Sequence, residues 1–194
     1  MTVTLGWQGP LGPGKMPLDP IMIEPLCAAG VYLRVKIYKG GRTVAYVGQS
    51  KSLLARFDQH LTSMLSLTVP IRGTTGKKIF TADVGARMEA YNRLDAVFAL
   101  AAADVMRVKF WYVLCDDYFQ AEHLNLVEGL LQQRIKSRLS NIENVTAAPS
   151  NMLEAAPDLW ENDFSDVDRK SEKILEELLG PDRMSAAVFG SNAG

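Results

Sequence analysis

Residues 30–48 constrain this chain more than any other stretch. Val31, Leu33, Val35 and Ile37 alternate with Tyr32, Arg34, Lys36 and Tyr38. A period of two is the pattern of a half-buried strand, apolar on one face and polar on the other. Lys39-Gly40-Gly41-Arg42 follows, and paired glycines accept the positive φ that a tight hairpin turn demands. Residues 43–48 then read as the return strand. Pairing symmetric about the glycines sets Arg34 opposite Tyr46 and Tyr32 opposite Gly48, so the two tyrosines lie diagonally on one face.

A helix follows the hairpin. Ser50 or Ser52 is placed to cap it, and Leu53, Leu54, Phe57 and Leu61 form its apolar stripe. Arg56 and His60, four residues apart, project together from one side of that helix. Residues 65–85 read as loop and residues 86–106 as one alanine-rich helix. The aromatic and β-branched run 109–115 reads as a third strand. Residues 119–139 form a long helix with Leu124, Val127, Leu131, Ile135 and Leu139 inward and Glu128 at the edge of that stripe. The resulting class is α/β (α+β): a small three-stranded mixed or antiparallel sheet flanked by helices, with a helical insertion and a C-terminal tail.

Flanking composition divides the chain further. Residues 1–27 are rich in proline and glycine and read as a loosely structured N-terminal extension. Residues 28–148 hold the domain, with the insertion at about 65–108, and residues 149–194 form an acidic, partly helical tail. The net charge is only −1, but it is unevenly spread. Residues 1–150 carry 17 Lys+Arg against 12 Asp+Glu, whereas residues 151–194 carry 4 against 10. A basic body suits a polyanion, and the acidic tail could fill its cleft in place of phosphate. With 47% hydrophobic residues the chain is neither disordered nor membrane-like. Cys27 and Cys115 have no metal-ligand spacing and read as buried, reduced thiols of a cytoplasmic protein.

Taken singly, each polar residue in these elements has an ordinary structural role. Their order is more informative. Gly30-Val31-Tyr32, then Tyr46-Val47-Gly48, Gln49-Ser50-Lys51-Ser52-Leu53, Arg56, His60, Glu128 and Asn141 thirteen residues beyond it together resemble the GIY-YIG nuclease family over residues 28–145. Valine replaces isoleucine in both tripeptides, and the segment after His60 is long. The resemblance implies a GIY-YIG-like fold and a divalent-metal-dependent endonuclease hydrolysing phosphodiester bonds in DNA. It implies Glu128 as ligand of one Mg²⁺ or Mn²⁺, Arg56 as the clamp on the scissile phosphate, and Tyr32 as general base. Tyr46 and His60 would orient water or phosphate. A bidentate arginine matches phosphate geometry as lysine cannot, and a phenol needs nearby positive charge to serve as a base.

The nucleic-acid contacts expected beside this set are Gly48, whose bare backbone allows close approach, Lys36, Lys51 and Asn141, with Lys77, Lys78 and Arg72 from the insertion. Specificity would come from a protein partner, from a homo-oligomer or from the insertion, and no membrane is implied. Two other classes compete: a module of the same fold that binds nucleic acid or protein without cleaving, and a structural protein whose polar residues satisfy one another. They separate by geometry. A nuclease gathers Tyr32, Arg56 and Glu128 about one open cavity, whereas a structural set closes Arg56 and Glu128 into an ion pair.

Overall fold

The computed structural model describes residues 2–80, 83–117, 119–143, 159–180 and 183–185. It is a mixed α/β protein with antiparallel sheet at its centre. The central hairpin is formed by β3 (Gly30–Ile37) and β4 (Thr43–Ser50). It has the register expected, with Tyr32 opposite Gly48 and Arg34 opposite Tyr46. Gly40 and Gly41 turn it at φ 83° and 78°, values that any residue with a Cβ adopts at a cost.

The sheet has four strands, not three. Its order is β2 (Gln8–Leu11), β7 (Val108–Leu114), β3, β4, with β3 antiparallel to both neighbours. The fourth strand comes from the N-terminal residues expected to be loose. Those residues also supply β1 (Thr2–Gly6), which runs parallel to β8 (Leu159–Asp163) in a second sheet completed by β9 (Arg183–Ser185). Proline and glycine hid these strands, but Val3, Leu5 and Trp7 are fully buried, and Trp7 Nε1 donates to Asn162 Oδ1 at 2.8 Å.

Layers cover both faces of the central sheet. On one face Val31, Leu33, Val35, Val47 and Trp111 pack against α5 (Leu124–Arg138), with α6 (Arg169–Leu179) behind it. On the other, Tyr32, Phe110 and Tyr112 pack against Leu53, Phe57 and Met64 of α2 (Leu53–Leu65). Ser52 caps α2 by accepting from the Ala55 amide. β3 is therefore buried along nearly its whole length, not on one face only. Its polar side is an interior surface, and that surface builds the site.

The insertion is ordered differently from the expectation. Residues 65–85 contain a short hairpin, β5 (Ile71–Arg72) and β6 (Lys78–Phe80). The single helix is two, α3 (Val84–Tyr91) and α4 (Leu94–Val105), parted at Asn92 and Arg93, whose backbones leave the helical path by Arg93. A short α1 (Pro20–Ile23) precedes β3. Cys27 is exposed and Cys115 partly so; both are free thiols. The boundary expected near residue 148 lies outside the described residues. Among the described residues no helix is long and apolar enough to cross a membrane.

Candidate functional site

The site begins on the polar side of β3. Alternation sends Tyr32, Arg34, Lys36 and Tyr38 toward α2 and the insertion, and each finds a fixed partner there. His60, one turn past Arg56 on α2, reaches between the first two: its Nε2 lies 2.8 Å from Tyr32 Oη and its Nδ1 lies 3.0 Å from Arg34 Nη1. Arginine carries donors only, so Nδ1 accepts and the ring proton is assigned to Nε2, which donates to Tyr32 Oη. Burial and the charges of Arg34, Arg56 and Lys36 lower the His60 pKa to about 3. The imidazole is therefore neutral, as this assignment requires.

Tyr32 is 1% exposed. Burial, with Tyr46 beside it, drives its hydroxyl pKa far above the ordinary tyrosine value, and Arg56 and Arg34 offset only part of the rise. A side-chain interaction with Tyr46 further favours the protonated phenol. The rings lie nearly parallel with centroids 6.0 Å apart, while Tyr46 also packs edge-on to His60 and under the Arg34 guanidinium. A directed chain results, Arg34 to His60 to Tyr32, with the Tyr46 ring stacked beside its end. Tyr46 is the member of this tyrosine pair that lines the cavity. Gly48 explains why the chain fits. A Cβ there would lie 2.3 Å from Tyr32 Oη, so the close approach to the Gly48 backbone is made by the Tyr32 ring.

Beyond Tyr46 and His60 opens a cavity of about 440 Å³. Arg34, Lys36, Arg56, Arg72 and Lys78 stand on its wall, with Glu143 as the one carboxylate there among the described residues. The cations are not equally available. Lys36 is 2% exposed, and its ammonium donates to Asp104 Oδ2 at 3.0 Å. Asp104, at the end of α4, also accepts from Tyr38 Oη at 2.7 Å and from the Arg72 amide at 3.1 Å. Burial lowers the Lys36 pKa, and Asp104 and Glu143 oppose that shift. Arg56 is half-buried and donates to Gln59 Oε1 at 2.6 Å, leaving its guanidinium free of any carboxylate among the described residues.

Of Tyr32, Arg56 and Glu128, expected about one open cavity, only Arg56 lines it; Tyr32 and Glu128 do not. Glu128 is half-buried on α5 and accepts from Gln132 Nε2 at 3.2 Å and from the Gln49 side chain. Gln49 in turn donates to Asn125. Burial raises the Glu128 pKa despite those donors and the nearby charge of Arg56. Arg56 is thus the group that feels both Glu128 and the Tyr32–His60 pair, yet it closes no ion pair with Glu128. Compared with family models, curated proteins and solved structures, the chain finds no match.

The remaining expected contacts are dispersed. Lys51 and Lys77 are exposed, and Lys77 lines a different, largely apolar cavity between β6, α3 and α4. Asn141 Oδ1 accepts from Arg42 at 3.1 Å, and its carbonyl accepts from the Ala45 amide at 3.2 Å, which ties the end of α5 to β4. Three participants had no assigned role in the sequence reading: Arg34, Glu143 and Asp104. Arg34 had a legible signal, because strand alternation sets it on the Tyr32 face. Glu143 and Asp104 had none, since each enters through a contact more than sixty positions away in the chain.

Proposed function

We propose that this chain is a GIY-YIG-type, divalent-metal-dependent endonuclease that hydrolyses phosphodiester bonds in DNA. One observation carries the reading. A cationic cavity receives Tyr46, His60 and Arg56 on its wall, and the Arg56 guanidinium, bound to no carboxylate among the described residues, lies in electrostatic reach of both Tyr32 and Glu128.

The residues at Glu128 fit a hard divalent cation. A half-buried carboxylate whose pKa is raised by burial, with amide side chains rather than a counter-ion as neighbours, gains most from a cation that keeps its own waters and needs a single protein carboxylate. No cluster of three acidic, histidine or cysteine side chains occurs among the described residues, so an all-protein cage is not the type of site offered. Glu128 would hold the ion, with Gln49 and Gln132 orienting the carboxylate. When bound, the ion would supply charge neutralisation at the phosphate and the leaving oxygen.

The chain's own groups have separate tasks. Arg56 would take two phosphate oxygens and stabilise the charge that builds on them. Tyr46 would hold the attacking water from the cavity side. Neutral His60, locked by Arg34, would keep Tyr32 in place as acceptor at Oη. Proton removal by Tyr32 itself requires the positive charge of Arg56, Arg34 and the bound cation to overcome burial.

That requirement favours a second reading, a module that binds nucleic acid without cleaving it, because the raised Tyr32 pKa opposes its use as a base. Labelled single-stranded, duplex, flapped and branched DNAs, incubated with Mg²⁺ or Mn²⁺, separate the two. Metal-dependent nicking by the wild type that disappears in Glu128→Ala supports the nuclease. Binding without nicking by the wild type on every substrate supports the module.

A further inference from the structure

Arg34 on β3 and Arg72 on β5 are each 7% exposed, and both turn their guanidinium groups to one anion. Arg72 Nε and Nη2 each lie 3.1 Å from Glu143 Oε1, and Arg34 Nη2 donates to Glu143 Oε2. One carboxylate is thus met at one oxygen by two nitrogens of Arg72 and at the other by a single nitrogen of Arg34, and guanidinium donors of this kind serve phosphate oxygens equally. The remaining donors are already fixed: Arg34 Nη1 on His60, and Arg72 Nη1 on the Gly76 carbonyl at 2.8 Å. The two guanidinium groups are thus preorganised around a place an anion fills.

The group that fills it is lightly attached. Glu143 follows α5 on a short segment joined to β4 at the Ala45–Ile142 bridge, where the Glu143 amide donates to the Ala45 carbonyl at 2.8 Å. Its side chain is 19% exposed, more open than either arginine it binds. Burial favours the neutral acid, but Arg34, Lys36 and Arg72 outweigh it and hold the pKa below the usual glutamate value. Residues 159–180 of the acidic tail lie elsewhere, packed behind α5.

We propose that Arg34 and Arg72 form a second phosphate subsite beside Arg56, and that Glu143 occupies it as an internal stand-in which a nucleic-acid backbone displaces. The ligand is a pair of neighbouring phosphates, one at Arg56 and one between Arg34 and Arg72. This rests on the reading of the cavity as a phosphodiester site. The exchange keeps two buried guanidinium groups paired in both states and returns Glu143 to water, where a carboxylate is stable.

Inorganic pyrophosphate is a suitable probe, because its binding requires neither DNA nor cleavage. Calorimetry is expected to give Glu143→Gln a pyrophosphate affinity about tenfold or more above wild type, since one negative charge leaves the subsite. Glu143→Asp, which withdraws the carboxylate by one methylene, is expected to fall between them. An unchanged or weaker affinity in folded Glu143→Gln overturns the proposal, because a purely structural glutamate would leave the arginines less well placed. A titration of the wild type gives a check free of any variant. Pyrophosphate is expected to shift the Arg72 Nε–H resonance, and a resonance that stays fixed while the Arg56 resonance moves overturns the subsite. Failure of the DNA cleavage panel bears on the nuclease reading and leaves these binding results standing.

Discussion

His60 is desolvated and pressed by Arg34, Arg56 and Lys36, so folding holds its pKa near 3, against about 6.5 in an unfolded chain. A group depressed in this way adds stability above its unfolded pKa, and that stability is lost as the pH falls toward the folded value. Between pH 6.5 and 5 the wild type is expected to lose about 2 kcal/mol from this source. Glu128, whose pKa is raised, acts in the opposite direction, so urea denaturation should compare the wild type with His60→Gln. The variant is expected to show a flatter stability profile over that interval, and parallel profiles would remove the neutral-imidazole account. Gly48 offers a second test at this scale. Gly48→Ala puts a methyl into the Tyr32 ring, so a loss of about 1–3 kcal/mol is expected from overpacking, together with a fall in cleavage as Tyr32 shifts. A variant as stable as wild type would mean that the ring is not held there.

Hairpin, capping helix, third strand and long helix were legible because each signal is local. Alternation over residues 31–38, the Gly40-Gly41 turn and the Ser52 cap act within a few positions of one another. What could not be read depends on distant contact. β1 finds its partner in β8, more than 150 positions away, and a strand interrupted by Gly9-Pro10 has little local signal of its own. The same is true of the site. Tyr32, Tyr46, Arg56 and His60 were picked out by the order that resembles a known family, and the hairpin register and α2 bring Tyr32, Tyr46 and His60 into contact, whereas Asp104 and Glu143 are brought in by tertiary packing alone. Asp104 makes α4 part of the site's foundation, because it holds Lys36, Tyr38 and the Arg72 backbone at once. Asp104→Ala strands a buried ammonium and is expected to cost about 3–5 kcal/mol in denaturant. A loss below 1 kcal/mol would show that the insertion does not anchor the sheet.

Across the whole molecule, charge is sorted more sharply than the net value of −1 suggests. Among the described residues the cavity wall gathers five cations around Glu143, while α6, whose three glutamates are balanced by Arg169, Lys170 and Lys173, packs against α5. Arg134 Nε donates to the Leu179 carbonyl at 2.7 Å and Arg138 Nε to the Glu177 carbonyl at 2.9 Å, which locks that helix in place. Leu175, fully buried between the layers, is a handle on this arrangement: Leu175→Ala is expected to lower stability by about 2–5 kcal/mol while the folded fraction cleaves DNA at the wild-type rate. A rate loss beyond the unfolded fraction would tie the tail to the site. On the proposed reading, the cavity stabilises charge on a phosphodiester undergoing cleavage, with Arg56 as its clamp. Single-turnover cleavage of a labelled DNA in Mn²⁺, with DNA affinity measured alongside, tests it most directly. Arg56→Ala is expected to cleave on the order of 10²–10³-fold more slowly while its affinity changes far less; cleavage at the wild-type rate by that variant would contradict the account.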